Sequence, residues 1–398
     1  MSESSNSPSV QPTFTTVGLF AGIGGLELGF HQAGAKSLLL CEVWEPAQAI
    51  LSTRFPDVPL HGDVATLDRL PDADVVAAGF PCTDLSQAGR TAGIHGKASG
   101  LVSHLFRILR DAEPQWVVIE NVRNMLVLDR GKAMAYLVHN LEELGFRWAY
   151  RLVDSRFTGV PQRRQRVLMV ASRSRDPRSV LFADDAGEPA GNEWYGDDAC
   201  GFYWTEGLSG LGWAKDAVPT LKGGSTIGIP SPPGIWIRDE QVGRAIVTPG
   251  IEDAERLQAF PAGWTEPARD YGRAGVRWKV VGNAVTVGVA KWLGGRLASP
   301  GDATPLAGTE LAHADRWPAA AWGQEGRRWQ AAVSMWPVQS PYQHLMDVVD
   351  RTALTPLSWR ASAGFASRME RSTLRFDEAF RLAIKQHVEA MSSRPLSV

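Results

Sequence analysis

The chain has 398 residues, enough for two or three domains and for a full core without disulfide staples. Hydrophobic residues make up 44% and charged residues 21%, which excludes wholesale disorder and collagen-like repeats. The net charge of −2 does not announce a nucleic-acid binder, yet it averages two opposed stretches: nine Arg against two Asp from Leu144 to Val180, and seven acids with no Lys or Arg from Phe182 to Glu206.

Residues 1–14 read as a disordered arm, with neither the basic start nor the apolar stretch of a signal peptide. Thr15–Phe20 is the first strand. It runs through Ala21-Gly22-Ile23-Gly24-Gly25 into a helix from Leu26 to Ala33. Leu38–Cys41 is a second strand, ending at Glu42, and Pro46–Phe55 a second helix. Asp74–Ala78 is a third strand, ending in Gly79-Phe80-Pro81-Cys82. Helix Leu101–Asp111 leads to strand Trp116–Ile119 and Glu120, helix Ala133–Leu144 and strand Val167–Ala171. Such alternation predicts an α/β fold built on a doubly wound, mainly parallel sheet.

From about Ser172 helical periodicity gives way to Gly, Pro, Trp and acids, which predicts a smaller irregular or β-rich domain to about Gly275. Trp278–Leu297 reads as a strand or turn followed by an apolar helix. The expected division is therefore 15–171 plus 276–298, then 172–275, then a C-terminal extension at 309–398. That extension carries five Trp and a late helix, Phe376–Met391, and reads as a packed helical appendage with core Trp that sequence choice does not need, the alternative being stacking of its Trp on unpaired bases. No run of about 18 apolar residues predicts a membrane span. Cys41, Cys82 and Cys200 lie far apart with no C-x-x-C pair, so neither a metal site nor a disulfide framework is expected, and a cytoplasmic protein is.

In doubly wound sheets ligands bind outside the carboxyl ends of the strands. Gly22, Glu42, Asp63, Cys82 and Glu120 all fall there. The glycines allow close backbone approach, but their spacing departs from G-x-G-x-x-G, so a dinucleotide site is disfavoured. Glu42 could receive ribose hydroxyls and Asp63 an adenine amino group, or each could be a cap or a surface acid. Cys82 is a presented nucleophile or a small buried hydrophobe. Glu120 can hold a proton for transfer. In Gln162-Arg163-Arg164-Gln165-Arg166, alternation sends Arg164 and Arg166 to one side, suited to a substrate oxygen or phosphate. The wider arginine stretch is either a phosphate-facing stripe or a face paired with the acidic stretch.

The ordered set resembles the DNA (cytosine-5)-methyltransferase family: Phe20–Gly25, Glu42, Asp63, Pro81–Ser86, Glu120–Val122, Gln162–Arg166 and Gly282–Val285 over about Thr15–Leu297, with Arg256–Pro261 resembling the element before the last motif. Two departures stand out. Ser99-Gly100-Leu101 replaces the usual Arg-Gly-x-Leu, and Glu42-Val43-Trp44-Glu45 lacks the usual second acid two residues on.

The resemblance implies an S-adenosylmethionine-dependent fold with a target-recognition domain. Phe20, Ala21, Gly22, Gly24, Gly25 and Leu26 would hold the cofactor, with Glu42 and Val43 at the ribose, Asp63 and Val64 at the adenine, and Pro81 and Asn283 closing the site. Cys82 would add to cytosine C6, Glu120 would serve N3, and Arg164 or Arg166 would hold the O2 side. The base would be flipped from the duplex under a loop carrying Ser86. Gln162, Arg163, Thr220 and Lys222 would meet nucleic acid, with Arg238 and Arg244 as further candidates. Double-stranded DNA is the implied partner of a monomer, alongside a cognate restriction or defence protein. An RNA cytosine-5 methyltransferase and a non-catalytic DNA-binding homologue are the alternatives.

Overall fold

A computed structural model describes residues 12–80, 100–190, 194–223, 230–272, 275–302, 308–312 and 315–392. Its main sheet begins with five parallel strands: β1 (Phe14–Leu19), β2 (Ala35–Cys41), β3 (Leu60–His61), β4 (Val75–Ala78) and β5 (Trp116–Val122), in spatial order β3-β2-β1-β4-β5. Helices α1 (Gly25–Gln32), α2 (Glu45–Arg54) and α3 (Leu101–Asp111) fall between them in the chain, as the sequence pattern predicts. The central strands are largely apolar because both faces are covered; all four residues of β4 are apolar and buried.

After α4 (Lys132–Glu143) the sheet turns mixed. β6 (Arg147–Asp154), the short β7 (Gln162–Arg163) and β8 (Gln165–Ser172) follow, and β8 inserts between β5 and β6, antiparallel to both. The sequence reading misses β6, whose RWAYRLVD text is interrupted by arginine. Arg151 nevertheless lies fully inside, donating to the carbonyls of Leu181, Asp184 and Ser334 and pairing with Asp185 at 2.7 Å. Arg173 likewise binds the carbonyls of Leu109, Ala112 and Leu144. Much of the arginine stretch is thus spent inside the fold, where it satisfies carbonyls that would otherwise be buried unpaired.

The second sheet is antiparallel, built from β9 (Ala199–Phe202), β10 (Ala214–Lys215), β12 (Gly234–Ile237) and β13 (Ile246–Thr248). β11 (Val218–Pro219) pairs in parallel with β7 as a separate two-stranded sheet, which joins the segment leading into β8 to the segment that follows β10. The chain then returns through α5 (Ile251–Leu257), α6 (Gly275–Asn283) and α7 (Val287–Ala298). α6 is helical where the sequence suggested a strand or turn at Trp278. α7 lies so close to α1 that a Cβ on Gly29 would stand 2.4 Å from that of Ala290.

The C-terminal segment supplies the expected helices, α8 (Trp359–Glu370) and α9 (Glu378–Ser392), but it is no appendage. Its β14 (Ala320–Gln324) and β15 (Arg327–Gln330) extend the main sheet beyond β6, giving β15-β14-β6-β8-β5-β4-β1-β2-β3. Its β16 (Thr355–Pro356) completes the second sheet as β10-β9-β12-β13-β16. Phe365 and Phe380 from the two helices pack tilted and edge-on against Phe202, with ring centroids at 5.1 and 5.0 Å, forming a core that also holds Trp236 and Ile246. The segment is therefore part of the core of the second sheet and not a separate helical unit. Among the described residues no helix is long and apolar enough to cross a membrane.

Phe380 is fully buried at the centre of that core. Phe380→Ala is expected to cost about 3–5 kcal/mol in denaturant unfolding. A cost under about 1 kcal/mol would show that the C-terminal helices do not support the second sheet.

Candidate active site

The carboxyl ends of β1, β2, β4 and β5 and the beginning of β8 meet along one edge of the main sheet. The chain leaves β1 through Phe20, whose φ of 56° is left-handed without being glycine, a strained conformation of the kind held at functional sites. Gly22 and Gly24 follow at φ 58° and 81°. A Cβ on Gly24 would strike the Phe55 ring at 2.4 Å, and one on Gly25 the Val285 carbonyl at 2.5 Å, whereas nothing lies within 4 Å of one on Gly22. The loop is therefore wedged from behind and open in front. Leu26 is buried on the first turn of α1, and Ala21 is partly buried against the second core.

Glu42, at the end of β2, accepts from the Gly22 N–H and the Trp44 N–H, both at 2.8 Å. Burial raises its pKa, and the amide donors act in the opposite sense. Val43 beside it is exposed. Asp63 caps a short 3₁₀ turn by accepting from Ala65 N at 2.9 Å. Val64 is buried, and its carbonyl receives Arg107. Asn283 lies at the end of α6 with its Oδ1 beside Gly223, and it is the following Val285 that closes on the glycine loop.

Glu120 is fixed by sheet register. It stands opposite Leu168 across the β5–β8 ladder, and Val122 stands opposite Arg166, so the side chains of Glu120 and Arg166 are diagonal neighbours on one face. They pair at 2.9 Å. Glu120 Oε2 also lies 3.7 Å from where a Cβ on Gly79 would stand, which places the carboxyl beside the β4 exit. There Asn121 donates from Nδ2 to the Phe80 carbonyl at 3.0 Å, and the Phe20 and Phe80 rings meet edge-on at 5.9 Å. These contacts fix the point at which the chain enters Pro81-Cys82. Pro81, Cys82 and Ser86 lie outside the described residues.

Two expectations need correction. Arg164 does not present its guanidinium to a substrate: the residue is 1% exposed and donates to the carbonyls of Leu221, Gly282 and Ala284 at 3.4, 3.1 and 2.6 Å. Gln162 is fully buried and cannot face nucleic acid. Its Nε2 donates to the Leu257 carbonyl and its Oε1 accepts from the Leu221 N–H. Both residues clamp the Thr220-Leu221-Lys222 segment to the main sheet, leaving Arg166 as the arginine at the carboxylate. Thr220 donates its hydroxyl to the Arg163 carbonyl, and Lys222 lies over the Tyr203 ring and pairs with Glu206.

Asn121 and Glu27 were not singled out from the sequence, although Asn121 lies next to Glu120 and Glu27 interrupts the apolar Leu26-Glu27-Leu28. Glu27 is 2% exposed, with Oε1 packed where a Gly18 side chain would be and Oε2 without a hydrogen-bond partner among the described residues. Burial pushes its pKa up from 4.5 to about 7, with Glu42 adding in the same direction. The folded chain therefore holds a proton that the unfolded chain releases, and stability falls as pH rises from 4.5 to about 7. Glu27→Gln is expected to be more stable than the parent at pH 8 by on the order of 3 kcal/mol, with the difference vanishing near pH 4. Urea unfolding at both pH values measures this, and a parent more stable than the variant at pH 8 would refute it.

The model of the family of C-5 cytosine-specific DNA methylases matches residues 14–189. The Type II methyltransferase M2.BsuMI of Bacillus subtilis (strain 168) is 46% identical over 369 residues, covering 90% of this chain and 93% of that protein. Such coverage necessarily takes in part of the segment after Gly308. The Type II methyltransferase M.SsoII of Shigella sonnei is 33% identical over 169 residues, 42% of this chain and 44% of that one. Among solved structures, the S. pombe Dnmt2 methyltransferase aligns with a TM-score of 0.53 at 16% identity, over 71% of this chain and 98% of that chain, a likeness of fold.

Proposed function

The chain belongs to the C-5 cytosine-specific DNA methylase family and is a DNA cytosine-5 methyltransferase; we propose that it modifies one specific double-stranded sequence through a covalent adduct between Cys82 and C6 of a flipped-out cytosine. The observation that carries the chemistry is the Glu120–Arg166 pair, held by strand register beside the β4 exit that leads into Cys82.

S-adenosylmethionine supplies the methyl group when bound. The residues present fit it: the space in front of Gly22 is open, and Glu42 offers a carboxylate at the end of β2. Phe20, Ala21, Gly22, Gly24, Gly25 and Leu26 would shape the methionine and adenine sides. Glu42 and Val43 would hold the ribose, Asp63 and Val64 the adenine edge, and Pro81 and Asn283 the margins.

Cytosine C5 is a weak nucleophile, so the chain must raise its electron density. The Cys82 thiolate adds to C6, and the electron pair displaced from the C5–C6 bond is drawn toward N3, where Glu120 supplies a hydrogen bond or a proton. Arg166, anchored by Glu120, is placed for the ring O2. C5 would then take the methyl group that S-adenosylmethionine supplies, with the thioether S-adenosylhomocysteine as leaving group; a base or a water removes the C5 proton, and its electron pair restores the C5–C6 double bond as the C6–S bond breaks and the thiolate returns. Dividing the reaction in this way replaces one difficult step by easier ones, and flipping the base costs a few kcal/mol. The matched family favours DNA over RNA as substrate, and the retained Glu120 and Arg166 favour an active enzyme over a binding homologue. Marking of host DNA against a cognate nuclease is the proposed purpose.

The test is base-resolution 5-methylcytosine sequencing of DNA from a methylation-free bacterium expressing the chain, with Cys82→Ser as control. Methylation at one short motif, lost in Cys82→Ser while S-adenosylmethionine binding persists, is expected. Soluble protein that leaves DNA unmarked would refute the reading, and undiminished marking by Cys82→Ser would remove the covalent step.

A further inference from the structure

A groove outside the strand-end site gathers four basic side chains that the chemistry above does not use. Its walls carry Arg163 of β7, Lys215 of β10, Arg238 just past β12 and Arg375 from the link between α8 and α9, with Trp213 among the remaining lining, around a cavity of about 430 Å³. Asp377 is the one acid in that lining.

The charges are available. Arg375 is exposed and makes no ion pair among the described residues. Arg238 reaches Asp377 only at 3.8 Å, and its guanidinium lies over the Trp236 ring at 4.4 Å, which holds it flat without neutralising it. Lys215 pairs with Asp197 at 2.9 Å, but that carboxylate is 76% exposed, so the pair is well solvated and contributes little. A groove with four cations and one anion suits a polyanion. The occupant is argued from charge and chain position: Arg163 is adjacent to Arg164 and three residues from Arg166, so one wall of the groove belongs to the same short segment that carries the arginine of the proposed cytosine site.

We propose that this groove binds the phosphodiester backbone of the DNA substrate flanking the target cytosine, and that Arg375 brings the C-terminal segment into direct contact with DNA. This rests on the DNA reading above. Guanidinium groups match phosphate oxygens in a fork geometry, and contacts to phosphate fix orientation without reading sequence. The C-terminal segment therefore supplies affinity and register, while base choice is made elsewhere on the second sheet.

The experiment compares the parent with Arg375→Ala, Arg375→Lys and, as a charge control, Arg360→Ala at the exposed start of α8. Binding to a duplex carrying the methylated motif is followed by anisotropy over a series of salt concentrations, together with steady-state methylation. Arg375→Ala is expected to raise Kd and KM for DNA several-fold, to keep kcat at saturating DNA, and to lower the slope of log Kd against log salt by about 0.9, the loss of one phosphate contact. Arg375→Lys should recover most of the slope. An unchanged Kd and slope in Arg375→Ala, or an equal effect from Arg360→Ala, overturns the groove while leaving the DNA reading in place. A parent that neither binds nor methylates duplex DNA overturns both.

Discussion

The guanidinium of Arg164 is the contact on which the arrangement of the site depends. It is buried where β7 and β8 meet, and it gathers carbonyls from the Thr220–Lys222 segment and from the Gly282–Ala284 turn. Burying an arginine is costly unless its donors are satisfied. Here burial and the neighbouring Arg166 hold its pKa well below the ordinary arginine value, with Glu120 opposing them. Three carbonyls from two distant segments answer the two terminal nitrogens, while Nε has no hydrogen-bond partner among the described residues, so both segments are tied to one guanidinium. Gln162 repeats the device one step earlier by joining Leu221 to Leu257. The same side of the sheet then offers Arg166 to Glu120. Two arginines two residues apart thus divide the work, one building the wall and the other facing the carboxylate.

That wall ties the second sheet to the rest of the fold. β11 pairs with β7, β16 completes the far edge, and α8 and α9 cover one face with Phe365 and Phe380. The C-terminal segment also caps the main sheet with β14 and β15. Tyr342 and His344 reinforce the joint by binding the backbone carbonyl and carboxylate of Asp216, between β10 and β11. The main sheet, the second sheet and the C-terminal segment are therefore joined by strand pairing, a shared aromatic core and side-chain hydrogen bonds.

Four of the five parallel strands were legible because they contain short apolar runs bounded by glycine or acid, and α3 because it carries a clear apolar stripe; the two-residue β3, Leu60–His61, is too short to leave a pattern. Glu42 and Glu120 were legible as strand-end acids. β6 was not, since Arg147 and Arg151 break its apolar text and only the fold reveals that Arg151 is satisfied by carbonyls. The separate fates of Arg164 and Arg166 were also hidden: both fall on one side by alternation, and which is sealed depends on a turn more than a hundred residues later in the chain. Glu27 was hidden by its ordinary helical context, because the space it fills exists only where residue 18 is glycine and α1 crosses β1.

The most direct measurement is the turnover of Arg164→Lys at saturating DNA and S-adenosylmethionine, alongside its thermal unfolding. Lysine keeps the charge but cannot reach three carbonyls in fork geometry. Misplacement of the wall should lower kcat on the order of 10–100-fold and lower the melting temperature, with the circular dichroism spectrum of the folded state retained. A variant with parental kcat and melting temperature would contradict the claim that this buried guanidinium organises the site.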